Sequence, residues 1–173
     1  MTTPRTQSAT TRTTTKTTTK TPSKNSQDAI ALLKADHRHV EELFAEYEGS
    51  KQADKRSQLV DTICNELTIH AELEESKFYP AIKDALGDDA DLVDEAQVEH
   101  ASLKWLIHQL QTEAPDSDLH AAKVTVLKEY VSHHVKEEEK QLFPKVKKSG
   151  IDTVALGATL ESAKTVLKNK LKN

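Results

Sequence analysis

The sequence has few cysteines, glycines, prolines and aromatic residues, and each shortage narrows the class of protein that it encodes. Among its 173 residues are one cysteine, four glycines and five prolines, and 4% of the residues are aromatic. The single Cys64 excludes an internal disulfide, so cysteine usage gives no sign of an oxidising compartment. No apolar run approaches the roughly 20 residues that cross a bilayer, and the first residues lack the apolar stretch of a secretory signal. We therefore expect a cytoplasmic protein without a transmembrane segment.

The residue types that are abundant favour helices. Alanine, leucine, lysine and glutamate are common, and all four have high helix propensity. The length is sufficient for one domain with additional tails. The formal net charge of -4 is too small to indicate a partner. We predict an all-α protein with one principal domain.

The N-terminal segment differs in composition from the rest. Residues 1–24 are dominated by threonine and contain five basic residues and no acidic one. Because such a segment has little to bury, we predict that residues 1–25 form a disordered basic tail. Its charge favours anionic partners such as DNA or RNA. It contains no motif for specific nucleic-acid recognition, so a solubilising tail is the favoured interpretation.

Four segments carry apolar residues at alternating steps of three and four, the spacing of a helix with one buried face. The first is expected to begin at an N-cap, Ser26. The second is expected to run from about Asp54 to Tyr79, where Pro80 interrupts or kinks it. Because the connections are short, residues 26–149 are predicted to form an up-down-up-down antiparallel four-helix bundle.

Each predicted helix places one histidine among its apolar residues: His37, His70, His100 and His134. Two of the four are followed four residues later by a glutamate, Glu74 or Glu138, which lies on the same helix face. The surrounding sequence repeats, because residues 70–80 (HAELEESKFYP) return 64 positions later as residues 134–144 (HVKEEEKQLFP). Duplicated hairpins predict a pseudo-twofold site to which each half contributes two histidines and one glutamate.

The fourth helix offers a second pair at the same spacing, His133 and Glu137. Tyr130 would support a register that turns this pair inward. Only His134 and Glu138 reproduce the spacing to the following proline, so the repeat favours them. In that register Tyr130 lies one turn before His134, where we expect a core tyrosine.

Six titratable side chains are thus directed into a bundle whose helix axes lie about 10 Å apart. Taken singly, such a histidine is more often a hydrogen-bonded core residue, and such a His–Glu pair is more often an exposed helix pair. Taken together, two buried carboxylates without partners would cost several kcal/mol, and a pair of bound metal ions removes that cost. The predicted metal ligands are His37, His70, Glu74, His100, His134 and Glu138.

These motifs resemble the hemerythrin-like (HHE cation-binding) domains over about residues 28–148. The resemblance rests on Asp36-His37, His70-x3-Glu74-Glu75 with Phe78-Tyr79-Pro80, Glu99-His100, and His134-x3-Glu138-Glu139 with Phe143-Pro144. It implies a non-haem di-iron site with an oxo or hydroxo bridge, four terminal histidine ligands and two bridging glutamates; manganese is the alternative metal. It also implies that the protein binds, senses or scavenges O2, peroxide or NO, or stores iron, as in oxygen binding or stress responses.

The chain departs from the oxygen-carrying hemerythrins at one position. Those proteins have a further histidine one turn after the third-helix histidine, and here that position is Lys104, with Glu41 as its counterpart in the first helix. One imidazole fewer predicts an open position on one iron, which favours reaction with peroxide or another substrate over simple O2 carriage. Glu41 is either a ligand or an exposed side chain. Lys104 is expected to extend outward or to pair with an acidic neighbour.

Four further carboxylates adjoin the predicted ligands in sequence: Asp36, Glu75, Glu99 and Glu139. Carboxylates near metal-binding histidines often orient the imidazoles. Neighbouring residues on a helix point about 100 degrees apart, however, so surface charges are the favoured interpretation for most of them.

Residues 150–173 are predicted to form an additional amphipathic helix outside the family resemblance. It is expected to pack on the bundle or to form a homodimer seam, rather than to bind a membrane surface. The sequence leaves open whether the metal site turns over a substrate. The alternative function is a non-catalytic metal-dependent regulatory or interaction module, with nucleic-acid contact through the basic tail.

Overall fold

The computed structural model describes residues 27–171, and these residues are helical without any β-strand, which confirms the all-α prediction. Within this range, seven α-helices span Ala29–Gly49 (α1), Ala53–Leu73 (α2), Tyr79–Leu86 (α3), Asp91–Thr112 (α4), His120–Glu137 (α5), Phe143–Lys148 (α6) and Thr153–Lys170 (α7). Two π-helical turns, Glu74–Phe78 and Glu138–Leu142, join α2 to α3 and α5 to α6. None of the helices in this range is long and apolar enough to cross a membrane. The predicted tail lies outside the described residues.

Aspartate side chains cap the first and last helices. Asp28 Oδ1 accepts hydrogen bonds from the backbone N–H groups of Ile30 and Ala31, at 2.9 and 3.2 Å. Asp152 caps α7 in the same way. These bonds satisfy N–H groups that have no partner within the helix. Helix α1 therefore begins later than predicted, and the expected cap Ser26 lies outside the described residues.

The two π turns each begin at a predicted glutamate ligand and end just before a proline. In the first, the backbone N–H of Tyr79 donates to the carbonyl of Glu74, five residues earlier. Because the ring of Pro80 clashes with the carbonyl four residues before it and offers no N–H, the helix widens here instead of ending. The second turn makes the same bond before Pro144. The predicted second helix, Asp54 to Tyr79, is therefore interrupted before its proline rather than at it.

Two apolar clusters form the core, one on each side of a band of buried polar side chains. In the first, Phe78, Tyr79 and Phe143 pack among aliphatic residues of α1, α3, α6 and α7. In the second, Phe44 and Tyr47 pack among aliphatic residues of α2, α4 and α5. Helix α1 packs on α2, α4 packs on α5, and α2 contacts α4. This arrangement encloses the polar band within the helical bundle.

Helix α7 packs on the α1–α2 face of the bundle. Leu156 and Leu160 are buried there. The ammonium group of Lys164 binds Asp36, and that of Lys168 lies 2.9 Å from a carboxylate oxygen of Glu66. Packing on the bundle is one of the two arrangements that the amphipathic sequence favoured, and the homodimer seam stays a prediction.

Gly157 lies in the middle of α7, where alanine normally stabilises a helix by about 1 kcal/mol relative to glycine. Here a Cβ atom would lie 1.9 Å from the carbonyl oxygen of Gln27 and 2.9 Å from the backbone nitrogen of Ala29. Because backbone atoms cannot rotate aside, α7 would have to move away from α1. We predict that Gly157→Ala lowers the free energy of unfolding by about 1–3 kcal/mol, as measured by chemical denaturation.

Gly49→Ala is the matched control for this prediction. Gly49 ends α1, and no described atom lies within 4 Å of the position that its Cβ would take. The control is expected to be neutral or slightly stabilising. A Gly157→Ala variant as stable as the control would contradict the close approach of α7 to the start of α1.

Candidate metal centre

Four histidines and two glutamates meet in the polar band between the apolar clusters. They come from α1, α2, α4, α5 and the two π turns, and each is 6% exposed or less. They are His37, His70, Glu74, His100, His134 and Glu138. The structure thus brings together all six side chains that the sequence analysis selected.

The four imidazoles face one another in two pairs through their Nε2 atoms. Nε2 of His37 lies 3.2 Å from Nε2 of His70, and Nε2 of His100 lies 3.0 Å from Nε2 of His134. Each pair joins the two helices of one hairpin, α1 with α2 or α4 with α5. The sequence repeat is therefore also a repeat in space.

The opposite ring nitrogens, Nδ1, face carboxylates on neighbouring helices. Three imidazoles donate from Nδ1: His37 to Glu139 at 3.0 Å, His100 to Glu75 at 3.1 Å and His134 to Glu99 at 2.8 Å. The fourth, His70 Nδ1, lies 3.9 Å from Asp36 Oδ2, which is too far for a hydrogen bond. An ionised carboxylate only accepts hydrogen bonds, so the three donating rings carry a proton on Nδ1, and each ring has a lone pair on Nε2 in its neutral form.

These lone pairs give the centre the chemistry of a cation site. In the pair formed by His100 and His134, two acceptor nitrogens face each other at 3.0 Å. They repel unless a proton or a metal ion lies between them. Carboxylates add negative charge, because Glu74 Oε2 lies 3.2 Å from His70 Nε2 and Glu138 Oε2 lies 3.3 Å from His37 Nε2. Divalent cations would relieve the repulsion between the imidazole nitrogens and balance the negative charge of the carboxylates.

The pKa values of His70 and Glu74 reflect opposing effects of burial and of neighbouring charges. Burial lowers the pKa of His70, but nearby carboxylates, of which Glu74 contributes most, outweigh burial and raise it to about 10. Burial raises the pKa of Glu74, but His70 and His100 outweigh it and hold the pKa well below its usual range. Glu74 is therefore kept ionised beside the positive charge of His70. Strongly shifted pKa values of this kind are typical of functional sites.

Two carboxylate oxygens of the centre make no hydrogen bond within the described residues: Glu74 Oε1 and Glu138 Oε2. An unpaired buried polar atom costs on the order of 1–3 kcal/mol, and more when it is charged, so such atoms point to a ligand. One donor atom each of His37, His70, Glu74 and Glu138 lie within 4.8 Å of one another, as do those of Glu74, His100 and His134. Glu74 belongs to both groups, which is the arrangement that a bridging carboxylate requires.

Tyr79 is a residue of the centre that the sequence analysis did not select. Its hydroxyl is 3.3 Å from Glu74 Oε2 and 3.0 Å from Glu138 Oε1, so the two carboxylates share its proton. Burial and the two carboxylates raise the pKa of the phenol well above its usual value, which keeps it a donor. In the second half the equivalent residue is Phe143, whose ring stacks on His37. This difference between otherwise matching motifs was the sequence signal for Tyr79.

The four carboxylates beside the ligands are not the surface charges that the sequence favoured. Three of them hydrogen-bond to an imidazole of another helix: Glu75 contacts His100 on α4, Glu139 contacts His37 on α1, and Glu99 contacts His134 on α5. The fourth, Asp36, lies near His70 without a hydrogen bond. The angle between neighbours on one helix was therefore the wrong criterion, because the relevant contact crosses to the adjacent helix. Metal-binding histidines are commonly oriented by such carboxylates.

Cations hold two of these carboxylates from the solvent side. Glu139 accepts from Arg38 at 2.5 Å and from Lys34 at 3.1 Å. Burial raises the pKa of Glu139, but hydrogen bonds from His37, Lys34 and Arg38 outweigh it and lower the pKa to about 2. Glu75 accepts from Lys104 at 2.5 and 2.6 Å. Lys104 thus pairs with an acidic neighbour, as expected.

A small cavity lies beside the imidazoles. It has a volume of about 20 Å³, and aliphatic side chains such as Val40, Leu103 and Val131 line it together with Lys104. This is room for about one water-sized molecule. Glu41 lies outside the cavity, because its side chain is 49% exposed and accepts a hydrogen bond from Arg38. The exposed alternative therefore describes Glu41 in this structure.

The competing pair of the fourth helix lies on the outside of α5. The side chain of His133 is 63% exposed, whereas His134 is buried. Tyr130 is 50% exposed, so the expectation of a core tyrosine was wrong. The reason is that no other helix of the described range packs over this face of α4 and α5, whereas α7 covers the equivalent face of α1 and α2.

Known proteins resemble this chain in sequence and in fold. A family model described as the hemerythrin HHE cation binding domain matches residues 28–146. The chain belongs to the hemerythrin HHE cation-binding domain family. Metal binding is a property of this family, and the buried histidine and glutamate groups fit it.

Two known proteins resemble the chain, one in sequence and one in structure. A DNA nickase from Nostoc sp. strain PCC 7120 is 30% identical over 151 residues, which cover 85% of this chain and 41% of the nickase. The chain therefore spans less than half the length of that relative. A crystal structure of a hemerythrin HHE cation binding domain-containing protein from Mycobacterium kansasii superposes with a TM-score of 0.71 at 21% identity, over 83% of this chain and 89% of that one. This second match shows that the two proteins share a fold.

The carboxylate that orients His37 offers a test of the centre. We predict that Glu139→Gln lowers metal affinity by about 10–100-fold, because the amide holds the Nδ1 proton of His37 less strongly. Competition with a chelator of known affinity measures the change. Glu129→Gln, an exposed position on α5, is the control and should bind metal as the wild type does. Equal affinity of both variants would exclude an orienting function for Glu139.

Proposed function

We propose that this protein holds a non-haem di-iron centre that binds or reacts with O2, peroxide or NO, with iron storage as a related use and manganese as the alternative metal. The proposed ligands are His37, His70, Glu74, His100, His134 and Glu138, with the two glutamates bridging the metals. The observation that carries this proposal is the two pairs of facing imidazoles, beside carboxylate oxygens that have no hydrogen-bond partner among the described residues. Family membership supports cation binding, and the donor set of imidazole and carboxylate suits iron.

The proposal includes the organisation of the chain. We infer that residues 26–149 form the metal-binding unit as an up-down-up-down four-helix bundle, preceded by the basic tail of residues 1–25 and followed by the helix of residues 150–173. The packing of α1 on α2, of α4 on α5 and of α2 on α4 supports this topology.

Bound iron would supply redox and Lewis-acid chemistry to a small molecule. The side chains of the protein would hold and shield that chemistry. The carboxylates at Nδ1 fix the orientation of three imidazoles, and the phenol of Tyr79 keeps a proton between Glu74 and Glu138. The apolar walls of the neighbouring cavity limit access to about one water-sized molecule.

Lys104 distinguishes this centre from that of an oxygen carrier. It occupies the position at which a further imidazole would stand, it lines the small cavity, and its charge faces Glu75. With a lysine in place of that imidazole, one metal ion would have one protein ligand fewer and a position open to peroxide or another small molecule. This supports reactivity as the function rather than reversible O2 carriage.

The first experiment measures the metal content per chain after anaerobic Fe(II) loading, and the absorption spectrum after exposure to air. The proposal predicts two irons per chain and ferric absorption bands. Peroxide consumption in excess of the bound iron would support an enzyme, and stoichiometric oxidation would support a sensor or store. A folded protein that takes up no iron would overturn the proposal.

A second candidate is a regulatory module that contacts DNA. Two observations favour it: the acid-free basic segment of residues 1–24 and the 30% identity to a DNA nickase. In this case metal binding would stabilise the bundle and the tail would make nonspecific phosphate contacts. It predicts DNA binding that weakens steeply with salt and is lost when residues 1–25 are deleted. Salt-insensitive binding, or binding unaffected by the deletion, would exclude the tail as the contact.

A further inference from the structure

The pseudo-twofold repeat is broken on one face of the bundle. Residues of α5 correspond to residues 64 positions earlier in α2, as His134 does to His70. By this offset His133 corresponds to Ile69 and Glu137 to Leu73, both of which are buried in the cluster that includes residues of α7. On the face that α7 leaves open, side chains able to bind a metal therefore replace apolar ones.

His133 and Glu137 form a cluster with Glu99 of α4. Nε2 of His133 lies 3.4 Å from Glu99 Oε1 and 3.5 Å from Glu137 Oε2. One donor atom from each of the three residues lies within 4.8 Å of the others. The side chain of His133 is 63% exposed, and those of Glu99 and Glu137 are 21% and 29% exposed. The cluster is thus most open to solvent on its histidine side.

Glu99 connects this cluster to the buried centre. One of its carboxylate oxygens faces His133, and the other accepts a hydrogen bond from Nδ1 of His134 at 2.8 Å. A single side chain therefore belongs both to the surface cluster and to the group that orients a predicted ligand.

A second small cavity lies on the inner side of the cluster. The acidic residues that line it are Glu95, Glu99, Glu137 and Glu138. Glu138 is 2% exposed, and its Oε2 is one of the buried oxygens without a hydrogen-bond partner in the described chain. Carboxylates therefore line the seam between α4 and α5 from the protein surface to a predicted ligand of the centre.

We propose that Glu99, His133 and Glu137 form a second, solvent-accessible site for a divalent transition-metal ion, at the outer end of a path into the buried centre. One imidazole and two carboxylates suit Fe²⁺, Mn²⁺ or Zn²⁺, and two negative charges balance a divalent ion. Water completes the coordination on the exposed side. The inference that this site loads the buried centre rests on the proposed function. The inference that the site binds an ion does not.

Titration of the metal-free full chain with Mn²⁺ separates the two kinds of site. A hydrated surface ion enhances the relaxation of water protons, and enclosed ions resist removal by a brief exposure to chelator. We expect the wild type to bind one hydrated ion in addition to the enclosed ones. The double variant His133→Asn with Glu137→Gln should lose the hydrated ion and keep the enclosed ones.

Two further variants complete the experiment. His39→Asn with Glu42→Gln changes an exposed histidine and glutamate of α1 and should retain the hydrated ion. Glu74→Gln with Glu138→Gln should lose the enclosed ions and also retain the hydrated ion. A hydrated ion that survives in the His133 variant would overturn the surface site. A wild type that binds only the hydrated ion would overturn the proposed centre and leave the surface site standing.

The loading function has its own readout. Stopped-flow mixing of Fe²⁺ with metal-free protein measures the rate of uptake into the enclosed sites. This rate is expected to be at least about tenfold lower in the His133 double variant, because acidic clefts raise the local concentration of cations. The final iron content should be unchanged. Uptake at the wild-type rate in a variant that has lost the hydrated ion would overturn the path along the α4–α5 seam.

Discussion

Replacement of either buried glutamate is expected to abolish the binding of two metal ions per chain. Glu74→Gln and Glu138→Gln keep the size of the side chain but remove a negative charge that lies beside two imidazoles. An amide cannot bridge two cations, so at least one ion loses its second carboxylate. Iron content after anaerobic loading measures the result. Full iron in both single variants would disprove the bridging assignment.

The two variants are not expected to be equivalent. Glu74 belongs to both groups of donor atoms, whereas Glu138 belongs to the group with His37 and His70. Glu74→Gln should therefore weaken the binding of both ions. Glu138→Gln should leave one ion bound to His100 and His134. Glu72→Gln, an exposed neighbour on α2, is the matched control and should bind two ions.

Loss of the Tyr79 hydroxyl is expected to have the second large effect. Tyr79→Phe removes the proton shared by Glu74 and Glu138, and hydrogen bonds to charged groups contribute about 1.5–3 kcal/mol each. We predict that the free energy of unfolding of the metal-free variant is lower by about 3 kcal/mol, as measured by chemical denaturation. Phenylalanine should fit without overpacking, because Phe143 occupies the equivalent position in the second half.

Tyr130→Phe is the control for that experiment, because Tyr130 is half exposed on α5 and lies outside the centre. Its stability should match that of the wild type. Metal addition should restore part of the loss in Tyr79→Phe, since cations neutralise the same carboxylates. A metal-free Tyr79→Phe variant as stable as the control would show that the phenol does not hold the two glutamates.

Periodicity and repetition in the sequence were sufficient to predict the six histidine and glutamate side chains that lie inside the bundle. The three- and four-residue spacing of apolar residues indicated the inward face of each helix. The repeat distinguished His134 from His133, which the structure places inside and outside the bundle. Both are local properties of the chain, because a helix converts sequence spacing directly into direction.

Properties that depend on the neighbouring helix were not predictable in this way. The sequence favoured surface positions for the carboxylates of Glu75 and Glu139, yet each hydrogen-bonds to an imidazole on another helix. The sequence favoured a core position for Tyr130, yet this residue is half exposed because none of the described helices covers α5 on that side. Helix packing decides such contacts, and the position of α7 is not encoded in the pattern of the bundle helices.

The all-α class, the duplicated hairpins and the six inward side chains follow from helical period and repeat length, which can be read along a single chain. How these side chains are supported depends on the packing of the helices. The tertiary structure brought the Tyr79 hydroxyl between two glutamates and packed α7 on one face of the bundle, whereas no described helix packs on the equivalent face of α4 and α5. These features arise from contacts between residues far apart in sequence, which no local spacing specifies.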